Sequence, residues 1–196
     1  EIGGKWELLD GDLSLSTAIF DTIKTNERNT DVSTPQIALL SGRRHTAGIE
    51  LGAAGRINPN WDVFAGFSRM WAKIDEVNNP AFIGLVPQNT APYTGNLWTT
   101  YRLPYGFRVG GGLEAQGKRY IYASPASNLS PPPTLRNVPA YVKWDAMLAY
   151  EQPLYTLALN FINITNQYYY PSAYQNGGFA NPGTPRSVMF TASLKY

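Results

Sequence analysis

Short and long connections alternate strictly along this chain, and no other feature of the sequence constrains the fold as strongly. The short connections are DGD at 10–12, NPN at 58–60, PYG at 104–106 and QP at 152–153. They consist largely of residues that favour tight turns. The long connections, rich in Pro, Gly, Asn and Ser, lie at about 29–42, 77–93, 124–139 and 171–185. This alternation predicts antiparallel hairpins with tight turns at one end and long loops at the other.

The segments between these connections predict strands. They lie at about 1–9, 13–28, 43–57, 61–76, 94–103, 107–123, 140–151, 154–169 and 186–196. Several are longer than the five or six residues usual in soluble sheets. Apolar and polar residues alternate within them, as in RSVMFTASLKY at 186–196. A period of two predicts strands with one apolar and one polar face.

The fold class that fits this pattern is all-β, a transmembrane antiparallel β-barrel of the bacterial outer membrane. In lipid every backbone polar group must be paired within the protein, and a closed barrel satisfies that condition with strands. Aromatic residues near the tight turns predict an interfacial girdle. They are Trp61, Tyr105, Phe107, Tyr150, Tyr155 and Tyr196. We expect Phe190 and Tyr196 to anchor the closing strand, with the C-terminus on the periplasmic side.

The strand count and the composition bound the remaining possibilities. Bacterial single-chain barrels have even strand numbers, so nine predicted strands indicate that 1–196 is the C-terminal part of a larger barrel domain. Lys and Arg number 16 against 14 Asp and Glu, which is too balanced to favour nucleic acid as a partner. Cysteine is absent, so a thiolate metal site is excluded. His45 is the only histidine, and we expect no metal site.

Two phrases near the end of the chain, NFINITNQYYYPSAY at 160–174 and NPGTPRSVMFTASLKY at 181–196, resemble the ending of TonB-dependent siderophore receptors. The matching positions are Asn163, Asn166, Tyr169, Tyr170, Pro182, Gly183, Pro185 and Arg186. Upstream, EIGGKWELLDGDLSLSTAIFDTIKTN resembles a strand pair of that family. The stretch GNLWTTYRLPYGFRVGGGLEAQGKRY is most similar to the catecholate-type branch.

The resemblance implies a 22-stranded barrel filled by an N-terminal plug, of which this chain would supply about nine C-terminal strands without the plug. It implies uptake of a ferric siderophore, energised through TonB by way of the missing plug. Iron would enter only as the ferric siderophore, so no cofactor is expected. Other implied partners are outer-membrane lipid, lipopolysaccharide and the barrel-assembly machinery.

A bulky, often anionic siderophore needs cations and aromatic faces on the long-loop side. The candidate ligand-binding residues are Arg43, Arg44, Trp71, Lys73, Lys118, Arg119, Tyr120, Tyr122, Arg136, Tyr168, Tyr170 and Tyr174. The competing interpretation is that these are solvated rim charges, lipopolysaccharide contacts or girdle aromatics. Carboxylates such as Glu114 and Asp145 are expected to be wall charges, and no pair of them lies in an identifiable cleft, so an enzyme is not expected.

Two other functions remain open on the sequence. A barrel without a plug, acting as a porin or a surface-binding protein, would show neither iron-repressed expression nor TonB-dependent uptake. A soluble β-sandwich binding module would stay monomeric without detergent.

Overall fold

The computed structural model describes residues 1–30, 38–121, 136–174 and 179–195. Two of the candidate residues named above, Tyr122 and Tyr196, lie outside these ranges. The side chains of Arg136 and Tyr174 also lie outside the described part.

The described residues form strands joined by turns and by two short 3-10 turns, Pro80–Phe82 and Pro104–Gly106. In chain order the strands are β1 (Ile2–Leu8), β2 (Leu13–Thr30), β3 (Ala38–Asn58), β4 (Trp61–Glu76), β5 (Tyr93–Arg102), β6 (Phe107–Gln116), β7 (Arg119–Ile121), β8 (Arg136–Val138), β9 (Tyr141–Glu151), β10 (Tyr155–Ile162), β11 (Ser172–Tyr174), β12 (Phe179–Asn181) and β13 (Ser187–Leu194). Within the described ranges no helix has the length and apolar character to cross a membrane.

Nine of these strands form one sheet in the order β1-β2-β3-β4-β5-β6-β9-β10-β13. Every pairing in it is antiparallel. The sheet is not closed in this chain, because β1 and β13 are its two edges. The remaining strands form two small ribbons, β7 with β8 and β11 with β12. The prediction of an all-β fold with nine long strands is confirmed.

Some boundaries differ from the prediction. The sixth strand was expected to reach 123, but β6 ends at Gln116 and β7 turns aside to pair with β8. The eighth was expected to reach 169, but β10 ends at Ile162 because Asn163 adopts a left-handed conformation with φ 52°. The second and third strands are instead longer than predicted and extend into the predicted loop at 29–42. The second strand continues to Thr30, and the third already begins at Ala38.

The register places the two faces of the sheet consistently, since directly paired residues point to the same side. One side, here called the apolar face, carries an exposed hydrophobic residue from every strand of the sheet. These include Trp6, Ile19, Leu51, Phe67, Leu97, Val109, Leu148, Leu159 and Phe190. The opposite side, the polar face, carries Lys5, Ser16, Glu50, Ser68, Asn96, Glu114, Lys143, Asn160 and Thr191. This separation is the one expected of strands between lipid and water.

The tight turns form where the sequence predicted them. Gly11 has φ 91°, and its amide donates a hydrogen bond of 3.2 Å to the Leu8 carbonyl. The turn at 104–106 places Tyr105 and Gly106 at positive φ of 64° and 84°. Glycine suits position 106 because a β-carbon there would overlap the Glu151 carbonyl oxygen.

Aromatic rings gather at this tight-turn end of the sheet. The ring centroids of Phe107 and Tyr150 are 5.0 Å apart, and those of Tyr150 and Tyr155 are 6.2 Å apart. Trp61 lies at the same end, and its indole donates a hydrogen bond of 2.6 Å to the Thr99 hydroxyl. These contacts form the row of aromatics that is expected where strands leave a membrane.

Candidate functional site

A buried arginine joins two segments at the long-loop end of the molecule. Arg119, at the start of β7, is 3% exposed. Its guanidinium donates hydrogen bonds to the carbonyl oxygens of Pro171 at 2.9 Å and Tyr170 at 2.5 Å. Burial lowers the pKa of Arg119 from its ordinary value. The arginine therefore ties the 163–174 segment to the β7–β8 ribbon.

A second link brings in the segment that follows β4. The amide of Asn89 donates to the Tyr120 carbonyl at 3.0 Å, and the Asn89 side-chain amide donates to the Ala173 carbonyl. Asn89 adopts a left-handed conformation with φ 57°, which asparagine tolerates better than most residues. Ile121, Val138 and Ala173 form a small apolar cluster beneath these bonds. Three segments that are distant in sequence thus form one platform.

Asn163 organises the end of β10. It is 0% exposed, and its side-chain amide donates to the carbonyls of Gln167 and Thr184, each at 2.9 Å. Its side-chain oxygen accepts from the Gln167 amide at 2.8 Å. Its own backbone amide donates to Asp145 Oδ1 at 2.7 Å. One buried side chain therefore holds both ends of the 163–184 segment.

Two neighbouring tyrosines, the exposed Tyr168 and the half-buried Tyr170, lie on this platform. Tyr168 is 73% exposed, and its ring meets the ring of Tyr170 edge to face at 5.3 Å. The Tyr170 hydroxyl donates to the Tyr168 hydroxyl at 3.2 Å. This hydrogen bond raises the pKa of Tyr170 above its ordinary value. The backbone of Tyr170 is held at the same time by Arg119.

Below the platform, charged residues line the polar face. Lys143 Nζ lies 3.3 Å from Glu114 Oε2 and 3.2 Å from Asp145 Oδ2. The Tyr141 hydroxyl donates to Glu114 Oε1 at 2.6 Å. A neighbouring concavity of about 370 Å³ is lined by polar groups that include Glu50, Glu114 and Tyr141. These wall charges match the expectation for the carboxylates, and Asp145 connects them to Asn163.

The candidate cations on β3 are engaged with carboxylates. Arg43 lies at a register shift in the β3–β4 pairing, with its NH1 3.5 Å from Glu76 Oε1. Arg44 Nε lies 2.5 Å from Glu27 Oε2. Both side chains are more than a third exposed, so these ion pairs hold the arginines weakly and leave them free to rearrange.

The candidates on β4 lie on the apolar face. Trp71 is paired with Ala47, and Lys73 is paired with His45, in the register of the apolar side. The guanidinium carbon of Arg69 lies 5.4 Å from the centroid of the Trp71 ring. The structure therefore does not bring Trp71 and Lys73 to the polar face with Glu114 and Lys143.

The candidates of the β7–β8 ribbon are split. Lys118 Nζ lies 5.1 Å from the Tyr120 ring centroid, and Lys118 is exposed beside the buried Arg119. Tyr122 and the side chains of Arg136 and Tyr174 lie outside the described residues. In the backbone, Arg136 pairs with Ile121 and Tyr174 pairs with Phe179. Phe190 stands on the apolar face, paired with Leu159.

The candidate site residues predicted from the sequence did not include two asparagines that organise this site, Asn89 and Asn163, although Asn163 was one of the positions that carry the family resemblance. The residue type itself could have indicated them, because asparagine is one of the few residues that adopt a left-handed backbone conformation, in which its side chain can form hydrogen bonds to nearby backbone groups. Within the described residues no group of three His, Cys, Asp or Glu side chains is arranged to hold a metal ion. The chemistry available on the platform is hydrogen bonding and aromatic contact.

Comparison with known proteins gives consistent matches. A family model for the TonB dependent receptor-like β-barrel matches residues 1–166. The probable TonB-dependent receptor BfrD of Bordetella pertussis is 33% identical over 199 residues, covering 100% of this chain and 26% of BfrD. The chain therefore spans about a quarter of the length of that relative.

Solved structures match as well. The crystal structure of the siderophore receptor PiuA from Acinetobacter baumannii superposes with a TM-score of 0.88 at 28% identity, covering 99% of this chain and 28% of PiuA. The closed form of the ferric-catecholate import receptor Fiu from Escherichia coli K12 gives a TM-score of 0.82 at 26% identity, covering 98% of this chain and 26% of Fiu.

Proposed function

Because the chain belongs to the TonB-dependent receptor-like β-barrel family, we propose that it forms part of the wall of a receptor that imports ferric siderophores. The family consists of receptors and transporters of the bacterial outer membrane. The open nine-stranded sheet would be completed by further strands, and a plug would occupy the polar side.

The observation that carries this proposal is the ring pair formed by the exposed Tyr168 and the half-buried Tyr170 on a platform fixed by buried polar groups. Arg119 and Asn163 hold the backbone of this segment from two directions. A rigid platform loses little conformational entropy when a ligand binds, so the two rings that it presents are well suited to recognition.

We propose a catecholate-type ferric siderophore as the ligand. Fiu is a ferric-catecholate import receptor and PiuA is a siderophore receptor, and both superpose on nearly the whole chain. Catechol rings can meet tyrosine rings edge to face or offset. Arg43 and Arg44 lie on the same long-loop side and supply positive charge for an anionic ligand. The siderophore fills the coordination sphere of its iron, so the protein needs no metal ligand.

In the proposed mechanism, the long-loop end captures the siderophore and the polar wall guides it inward. Energy would come from TonB acting on a plug outside this chain. The apolar face would contact outer-membrane lipid after insertion by the barrel-assembly machinery. The tight turns, and with them the C-terminus, would face the periplasm.

Ligand binding and iron uptake by the intact protein test this proposal. The double variant Tyr168→Ala/Tyr170→Ala should weaken binding of a ferric catecholate by about thirtyfold, since each of the two aromatic contacts contributes about 1 kcal/mol. Tyr105→Ala is the matched control, because Tyr105 is exposed at the opposite end. Radioactive iron uptake should require TonB. Uptake that persists without TonB would instead identify a passive porin.

A further inference from the structure

The start of the 163–174 segment is attached to β9 beyond the last pair of the β9–β10 ladder. The backbone amide of Asn163 donates a hydrogen bond of 2.7 Å to Asp145 Oδ1 on β9. The Asn163 side chain is bonded in both directions to the backbone of Gln167, the residue that precedes Tyr168. One carboxylate of the sheet wall therefore fixes the platform on one side of Tyr168.

A second route leads from the wall to the residue on the other side of Tyr168. The ring of the buried Tyr169 lies against that of Tyr141, with 4.6 Å between the centroids. The Tyr141 hydroxyl in turn donates a hydrogen bond of 2.6 Å to Glu114 Oε1. Both sequence neighbours of Tyr168 are therefore held through a carboxylate of the polar face.

One ammonium joins these two carboxylates. Lys143 Nζ lies 3.2 Å from Asp145 Oδ2 and 3.3 Å from Glu114 Oε2. The Lys143 side chain is only 14% exposed, so solvent screens these contacts less than those of a surface ion pair. Without this charge the two carboxylates would lie close together with no counter-ion between them. Their repulsion would move both from the positions in which they accept the hydrogen bonds of the platform.

We propose that Lys143 is a positioning residue for the platform: it does not bind the siderophore, but through Asp145 and Glu114 it holds the two residues that flank Tyr168. This inference rests on the proposed function, in which Tyr168 and Tyr170 contact the ligand. With Lys143 in place the two rings keep one arrangement, so a ligand meets them with little further loss of conformational entropy.

The test uses the intact protein in detergent and two measurements. The first is hydrogen exchange of the Gln167 amide without ligand, which reports on the platform because this amide donates to Asn163 Oδ1 at 2.8 Å. The second is the Kd for iron(III) tris-catecholate. Lys143→Met removes the charge and keeps most of the length of the side chain. We expect it to speed the exchange by about tenfold to a hundredfold and to raise the Kd by about threefold to tenfold.

Two further variants separate charge from packing. Lys143→Arg can bond both carboxylates, so it should return the exchange rate and the Kd to within about twofold of the native values. In Lys143→Met/Glu114→Gln the repulsion is removed, while the new amide oxygen can still accept from Tyr141. Exchange should therefore be slower in this double variant than in Lys143→Met alone.

Lys5→Met is the matched control. Lys5 lies in the same register row of the polar face as Lys143, and it is an exposed cation paired with Glu7 at 2.7 Å. Its replacement should change neither the exchange rate nor the Kd. Heat-modifiable gel mobility should show that every variant is folded.

Unchanged exchange in folded Lys143→Met, or faster exchange without loss of affinity, would overturn the proposal. A higher Kd with unchanged exchange would mean that Lys143 contacts the ligand itself, which would also overturn it. If the native protein does not bind the ferric catecholate, the proposed function fails, whereas the exchange rates still decide whether Lys143 holds the platform.

Discussion

Gly183 lies directly against the aromatic ring of Tyr169, and its amide donates a hydrogen bond of 2.8 Å to the Tyr169 carbonyl. The ring has little room to move, because its centroid is 4.6 Å from that of Tyr141 on the wall of the sheet. Tyr169 is itself buried. The turn before the last strand is therefore packed onto the platform through a residue that has no side chain.

We expect Gly183→Ala to loosen this packing, because its β-carbon would overlap ring carbons of Tyr169. Overpacking of this kind costs about 1–3 kcal/mol. Hydrogen exchange of the amide at position 183 should show a local opening free energy that is lower by that amount. In a Tyr169→Ala background the same glycine substitution should cost almost nothing. An equal cost in both backgrounds would mean that the ring is not the obstacle.

Arg119→Gln should free the 163–174 segment without unfolding the sheet. The substitution leaves the Tyr170 and Pro171 carbonyls without their charged donor, at a cost of about 1.5–3 kcal/mol. Limited proteolysis should cut this segment faster, by about tenfold to a hundredfold. Lys118→Gln is the matched control, since the neighbouring side chain is exposed. Equal protection of both variants would show that Arg119 does not hold the segment.

Asn163→Ala should have a larger effect than Asn166→Ala. The first removes three side-chain hydrogen bonds at a buried position. The second removes one, from the Arg186 amide, at an exposed position. Both asparagines have positive φ, so alanine costs about the same backbone strain energy at either position. This cost cancels when the two variants are compared. We expect a difference of about 1–3 kcal/mol in the opening free energy of the Gln167 amide. No difference would contradict the role assigned to Asn163.

Tyr168→Phe should lower the pKa of Tyr170 toward its ordinary value, because the hydrogen bond that the Tyr170 hydroxyl donates to Tyr168 is the main cause of the increase. The pKa of Tyr170 is higher in the folded protein than in the unfolded chain, where it is about 10. The hydrogen bond to Tyr168 therefore stabilises the folded state fully below about pH 10, and this stabilisation is lost as the pH rises through the folded-state pKa of Tyr170. A pH titration of tyrosine labelled at the ring carbon bearing the hydroxyl measures the shift. An unchanged Tyr170 titration would place the cause elsewhere.

The sequence determined the strands and the faces of the sheet. The period of two in β9, β10 and β13 depends only on which residues are apolar, so a strand shifted by one residue would turn its apolar side chains to the polar face. The positions of the tight turns could likewise be predicted from local sequence, since a residue such as Gly11 readily adopts the positive φ that its turn requires.

The tertiary structure alone decided which residues meet at the long-loop end. Arg119 reaches carbonyls 51 and 52 residues away, and Asn89 reaches one 84 residues away. Backbone carbonyls are present in every residue, so no sequence pattern marks the ones that accept these bonds. The same holds for Trp71 and Lys73, which were expected to bind the ligand with Arg44. Alternation sets the side to which each of them points, but only the assembled sheet shows what stands on that side.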